Sequence, residues 1–151
     1  MRQHLFFGRS VALALLLAAA ATAHAGRSCE SRAMTPETLA KGLAIAQRTA
    51  QALEAEYRKN GSQLALLARA GQDLSKYQLH YSHFGWAYRT PEGLWRVAHK
   101  LNECGTAQAH VYRQGLAEFF LDDMWRYEAG VQFPRPEVQQ GHRRFIGHPA
   151  I

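Results

Sequence analysis

The sequence is short of several things that would assign a function quickly. It has no run of basic residues: the cations are scattered, for example Arg48, Arg58, Lys76, Arg89, Arg113 and Arg126, so nothing resembles a nucleic-acid-binding arm. It has no internal repeat or low-complexity tract after its first residues. It has no glycine-flanked serine elbow of the hydrolase type and no cysteine–histidine spacing that matches a zinc site. Its one long apolar run, VALALLLAAAATA at 11–23, holds about thirteen residues, and a bilayer span needs about twenty.

That run is flanked by Arg2 and Arg9 and followed by Ala23, His24 and Ala25, the small-x-small pattern of a cleavage site. Residues 1–25 therefore read as a signal peptide, with the exported chain starting near Gly26 and no stable membrane insertion after cleavage. A lipid anchor on Cys29 is disfavoured because Arg27 interrupts the small-residue box it requires. Residues 26–151 carry 16 basic and 12 acidic residues, a formal charge of +4, and are long enough for a single domain with one core. A mild positive balance favours acidic envelope surfaces without specifying one.

Only two cysteines are present, Cys29 and Cys104. An exported chain meets an oxidising compartment, where an even count favours a disulfide. A Cys29–Cys104 bridge would close a loop of about 75 residues and stabilise by about 4 kcal/mol on the chain-entropy account. The alternative is a free, nucleophilic Cys104. A reactive thiolate wants a helix N-terminus or a cationic neighbour, and Cys104 lies in a loop five residues after His99.

Patterning predicts an α+β fold, an N-terminal long helix packed on a small, mainly antiparallel sheet. Thr35 can cap and Pro36 suits the first helical position. Leu39, Leu43, Ala46, Ala50, Leu53 and Tyr57 recur at spacings of four and three, and Asn60-Gly61 supplies a left-handed exit, which places a helix over 36–59. Its many alanines favour a packing helix over a coiled coil. SQLALLARAG reads as a buried strand over 63–69. GQDLSKYQ reads as a loop in which Asp73 and Ser75 bond their own backbone. LHYSHFGWAYR and LWRVAHKL read as two strands joined by TPEG. AHVYRQ suggests a strand, GLAEFFLDD a short helix with Leu116, Phe119 and Phe120 inward, and RYEAGVQFP another strand. PRPEVQQ looks like a first helical turn that does not develop, and 135–151 reads as an irregular tail.

Within the first hairpin strand, Ser82, Phe84, Trp86 and Tyr88 share one face, and Tyr81, His83, Gly85 and Ala87 the other. The aromatic face is expected to be the buried one. Trp95, Val97, His99 and Leu101 share a face of the second strand. An odd number of loop residues puts His83 and His99 on the same side of the hairpin, an even number on opposite sides. Gly93 favours a three- or five-residue loop with a left-handed residue, hence the shared side. Two imidazoles on one face suit a base and its orienter, because the ordinary histidine pKa of about 6.5 lies near working pH. Structural or solvated histidines are the commoner case. Metal binding would need a third ligand, for which His110 is the nearby candidate, and its spacing matches no zinc pattern. Neither a cofactor nor a metal is expected.

The segment YSHFGWAYR…RVAHKL resembles the S-H-V-G-I-Y…I-H-A hairpin of papain-like cysteine peptidases and amidases that act on bacterial cell walls. That resemblance implies His83 as general base and His99 as the polar residue that orients it. Over a longer span, the chain resembles the bacterial family called domain of unknown function 2145. SCESRAMTPET, LARAGQDLSKYQLHYSHFGWAYR, HKLNECGTAQAHVYRQGLAEFFLDD and RYEAGV carry this likeness across residues 28–131. Cys29 within SCESR suits a bridge to Cys104. Permuted members of the papain-like superfamily place their nucleophile on a helix after the histidine strands. No such helix is legible here, and the tail GHRRFIGHPAI does not look like the family's continuation, which points to a truncated reading frame. The reading favoured by the sequence is thus a periplasmic or secreted envelope protein, a non-catalytic or truncated relative of papain-like hydrolases that binds a cell-wall peptide or glycan. The alternative is a cell-wall or amide hydrolase that uses His83 and His99. Neither reading involves nucleic acid, and the sequence is silent on oligomeric state.

Overall fold

The computed structural model describes residues 33–146 except 107 and 123, with side chains to residue 141. The expected signal peptide and start near Gly26, together with Cys29 and residues 147–151, lie outside the described residues. Helix α1 spans Pro36–Asn60 and is closed at both ends by local chemistry. The Thr35 and Thr38 hydroxyls accept from each other's backbone N–H at 3.2 and 2.9 Å, and Gly61, at φ 77°, sends its N–H to Tyr57 O at 2.7 Å. The α+β arrangement follows as expected: α1, then β1 (Leu64–Ala70), a 3₁₀ turn (Ser75–Tyr77), β2 (His83–Arg89), β3 (Trp95–Asn102), β4 (Ala109–Gly115), α2 (Leu116–Leu121), β5 (Arg126–Gln132) and α3 (Pro136–Ile146). The five strands form one sheet in the order β4-β3-β2-β1-β5. Asp73 Oδ1 accepts from Ser75 N at 3.0 Å, the expected local turn.

Both helices α1 and α2 contribute to one core with the inward side of the sheet, around Leu53, Leu67, Ala87, Val97, Phe119 and Phe120. The buried stripe of α1 is rotated from the expected one. Gly42, Ile45, Ala46, Thr49 and Leu53 are inside, while Leu39 and Leu43 are exposed. Gly42 is the cause: a β-carbon there would meet Leu121 Cδ2 at 2.7 Å and Phe120 O at 3.0 Å. The two helices cross where α1 has no side chain, and that contact fixes the rotation of α1.

Two further expectations are corrected. The aromatic face of β2 is not the buried one: Phe84 and Trp86 are exposed, whereas Gly85 and Ala87 point into the core. Small residues are what a close-packed inner layer accepts at this strand, since a β-carbon on Gly85 would already meet Val97 Cγ1 at 2.6 Å. The tail is not irregular over its described part, because α3 runs from Pro136 to Ile146. Continuing the β1–β5 register, in which Leu66 pairs with Gln132, would set Leu64 against Pro134, which has no N–H to donate. The Gln139 side chain substitutes for it. Its Nε2 donates to Leu64 O at 2.7 Å, and its Oε1 accepts from Leu64 N and Gln63 N, each at 3.0 Å. A buried amide thus completes the ladder and docks α3, a tertiary cause invisible to periodicity.

Residues 102–109 belong to a compact unit apart from the rest of the described chain. Within it Glu103 N donates to Gln108 O at 2.8 Å, and Gly105 takes a φ of 71°. Among the described residues, no helix is long and apolar enough to cross a membrane.

Candidate functional site

The hairpin carries the site. β2 and β3 pair antiparallel with Trp86 opposite Ala98 and Arg89 opposite Trp95. The connection is therefore the five residues 90–94, closed by Thr90 N donating to Leu94 O at 2.8 Å and by Gly93 at φ 89°. An odd connection keeps His83 and His99 on one side of the sheet, on a diagonal rather than directly opposite. The expected shared face is what the register produces, although it is the inner face and not an open one.

The two rings are in hydrogen-bond contact, His83 Nε2 to His99 Nδ1 at 2.7 Å. They meet edge to face, with centroids 5.0 Å apart. His99 is only 4 % exposed, and its other nitrogen, Nε2, lies 2.7 Å from Gln114 Oε1 on β4. These two contacts fix the protons. An amide oxygen only accepts, so His99 Nε2 carries the hydrogen. Nδ1 of a neutral His99 is then an acceptor, and His83 Nε2 donates to it. Burial pushes the His99 pKa below its ordinary value; the Gln114 hydrogen bond opposes this, Arg69 adds to the lowering and Asp122 counters it. His99 is thereby held neutral, which the relay requires. His83 is only partly buried, so the relay runs from the interior at Gln114 and His99 outward to His83.

Phe119 on α2 walls this pair, its ring centroid 5.2 Å from that of His99 and 5.8 Å from that of His83. Arg69, the cross-strand neighbour of His83, packs on the same ring, its guanidinium 4.7 Å from the Phe119 centroid. Arg69 is buried, donates to Phe119 O and pairs with Asp122 at 2.5 Å. The buried charge of Arg69 is thus matched by a carboxylate and lies against an aromatic ring.

Neither Cys104, the thiol weighed as a nucleophile, nor Ser82, the hydroxyl next to His83 in the chain, is available for that role. Ser82 Oγ accepts from Gly71 N at 2.8 Å and Gln72 N at 2.9 Å, which makes it a loop-holding group. Cys104, in the 102–109 unit, is not a free thiol. Its expected partner, Cys29, lies outside the described residues. His110 shares the Tyr112 side of β4, with rings 6.5 Å apart, and no group of three histidine, cysteine or acidic ligands suited to a metal occurs among the described residues. Gln114, Arg69 and Asp122 were not foreseen, and Phe119 was expected only as an inward residue of the short helix. The alternation in AHVYRQ puts Gln114 on one face with Tyr112 and His110, but only the pairing of β4 with β3 sets that face against His99.

The fold is thus a small α+β protein, a helix-backed antiparallel sheet that carries a hydrogen-bonded Gln114–His99–His83 chain with His99 buried. The chain belongs to DUF2145, a family described as an uncharacterized protein conserved in bacteria, whose model matches residues 56–149. The match runs through the stretch 132–149, so the tail set apart from the family on sequence grounds falls inside it, while residues 28–55 precede it. No curated protein and no solved structure matches the chain.

Proposed function

We propose that this protein is an exported relative of the papain-like hydrolases that acts on amide bonds of cell-wall peptides. In this reading His83 is the general base and His99 its orienter. The observation that carries the proposal is the pair of 2.7 Å contacts, His83 Nε2 to His99 Nδ1 and His99 Nε2 to Gln114 Oε1. With its Nε2–H committed to His99, His83 takes at Nδ1 the proton of a water that attacks the amide carbonyl, and returns it to the departing amine. The imidazolium that forms keeps its Nε2–H on the neutral His99 acceptor, and that hydrogen bond strengthens as the charge appears. The export signal over 1–25, a periplasmic or secreted location and a Cys29–Cys104 bridge belong to this reading. The bridge is supported by the absence of a free thiol at Cys104.

A second reading has an observation of its own. Ser82 and Cys104 are both engaged, so the same scaffold suits a non-catalytic envelope protein that binds a cell-wall peptide through the neutral relay. Incubating the exported protein with soluble peptidoglycan fragments separates the two. The first reading expects new amine ends whose rate falls by about 10²–10⁴-fold in His83→Ala. Binding without cleavage, lost in the same variant, would favour the second, and neither cleavage nor binding would remove both.

A further inference from the structure

The sheet has a second face, on the side away from α1 and α2. The outward positions of β2 are Phe84, Trp86 and Tyr88, those of β3 include Arg96, Ala98 and Lys100, and those of β4 are Val111 and Arg113. Phe84 is 51 %, Trp86 44 % and Val111 67 % exposed. Ala98 stands directly across from Trp86, with Arg96 and Lys100 at the neighbouring outward positions of the same strand, so the residue facing the indole is small and flanked by two cationic ones. No acidic residue occupies these outward positions. Among the described residues, Arg96, Lys100 and Arg113 enter no ion pair.

We propose that this outward face is a docking surface for an anionic polysaccharide. The inference stands apart from the histidine relay, which uses the opposite side of the sheet. A pyranose ring presents a flat C–H face that stacks on an exposed indole or phenyl ring, and its carboxylates meet guanidinium and ammonium groups. The charge pattern selects this occupant over others. Arg96 and Lys100 are four residues apart, about 13 Å along the strand. That spacing suits a polymer with sparse charges better than a nucleic acid strand, which carries one about every 3.4 Å. A second copy stacked face to face would set cations against cations.

The test is calorimetric titration of the full chain with hyaluronate, which carries a carboxylate on every second sugar, as the acidic probe and dextran as the neutral one. Hyaluronate is expected to bind, more weakly as salt rises, and dextran not to bind. Trp86→Ala and, separately, Lys100→Glu are each expected to weaken binding by about tenfold or more. Both positions are exposed, so the variants keep the fold, which circular dichroism checks. Absence of binding, or binding that neither substitution weakens, overturns the proposal. Tighter binding of poly(dT) or of phosphatidylglycerol vesicles through the same residues overturns the choice of partner. So does a dimer that Trp86→Ala dissolves.

Discussion

A β-carbon placed on Gly85 would lie 3.0 Å from His99 Cβ and 2.6 Å from Val97 Cγ1. The glycine leaves the room in which His99 leans back toward His83. Gly85→Ala is therefore expected to destabilise by about 1–3 kcal/mol through overpacking. It should also displace the His99 ring from His83. Urea denaturation reads the first effect, and the ring resonances of the folded variant read the second. A variant as stable as the parent, with unshifted histidine signals, would show that the close approach does not position the relay.

The buried state of His99 sets a pH dependence. Its folded pKa is depressed, chiefly by burial, so between the folded and unfolded values the unfolded chain binds the extra proton. Stability from neutral His99 is then complete above about pH 6.5, the unfolded value, and is lost as pH falls from there toward the folded pKa. The slope approaches about 1.4 kcal/mol per pH unit within that window. Denaturation midpoints measured from pH 7.5 down to 5 should fall more steeply for the parent than for His99→Asn. Equal slopes would remove His99 from the acid response.

Gln114 supplies an uncharged acceptor, and a charged one should reverse the relay. In Gln114→Glu the carboxylate favours the imidazolium of His99 and raises its pKa by about one to three pH units. Nδ1 then carries a proton and donates to His83 Nε2, 2.7 Å away in the parent, so His83 keeps its own hydrogen on Nδ1. A histidine NMR titration should show the raised His99 pKa together with a change of the His83 tautomer. A His99 titration unchanged from the parent would contradict the assigned contact.

Gln139 holds α3 through three backbone groups at the start of β1. Gln139→Leu keeps the bulk but leaves Leu64 N and O without these partners in a buried setting, at about 1–3 kcal/mol for each group left unsatisfied. Amide exchange at Leu64 should accelerate. Unchanged protection would mean that α3 docks without this side chain.

What the sequence disclosed was what local chemistry decides. Thr35, Pro36 and Gly61 bound α1 from within a few residues of each end, and Gly93 favoured an odd connection, which the five residues 90–94 turned out to be. What it concealed depends on neighbours distant in the chain. The rotation of α1 was set by Gly42 meeting Leu121, and α3 by Gln139 reaching Leu64 across a proline gap. The buried side of β2 was misjudged because size was taken for burial, when the small side, Gly85 and Ala87, is the one a close inner layer accepts. Gln114 became legible as the relay's inner end only once β4 was known to lie beside β3.

The central claim is that His99 stays neutral, protonated on Nε2 toward Gln114, and that His83 gives its Nε2 proton to His99 Nδ1. Long-range ¹H–¹⁵N correlation of the imidazole nitrogens at pH 7 reads this directly in the folded protein. The account predicts His99 with Nε2 protonated and Nδ1 bare, and His83 protonated on Nε2. A His99 protonated on Nδ1, alone or on both nitrogens, would contradict it.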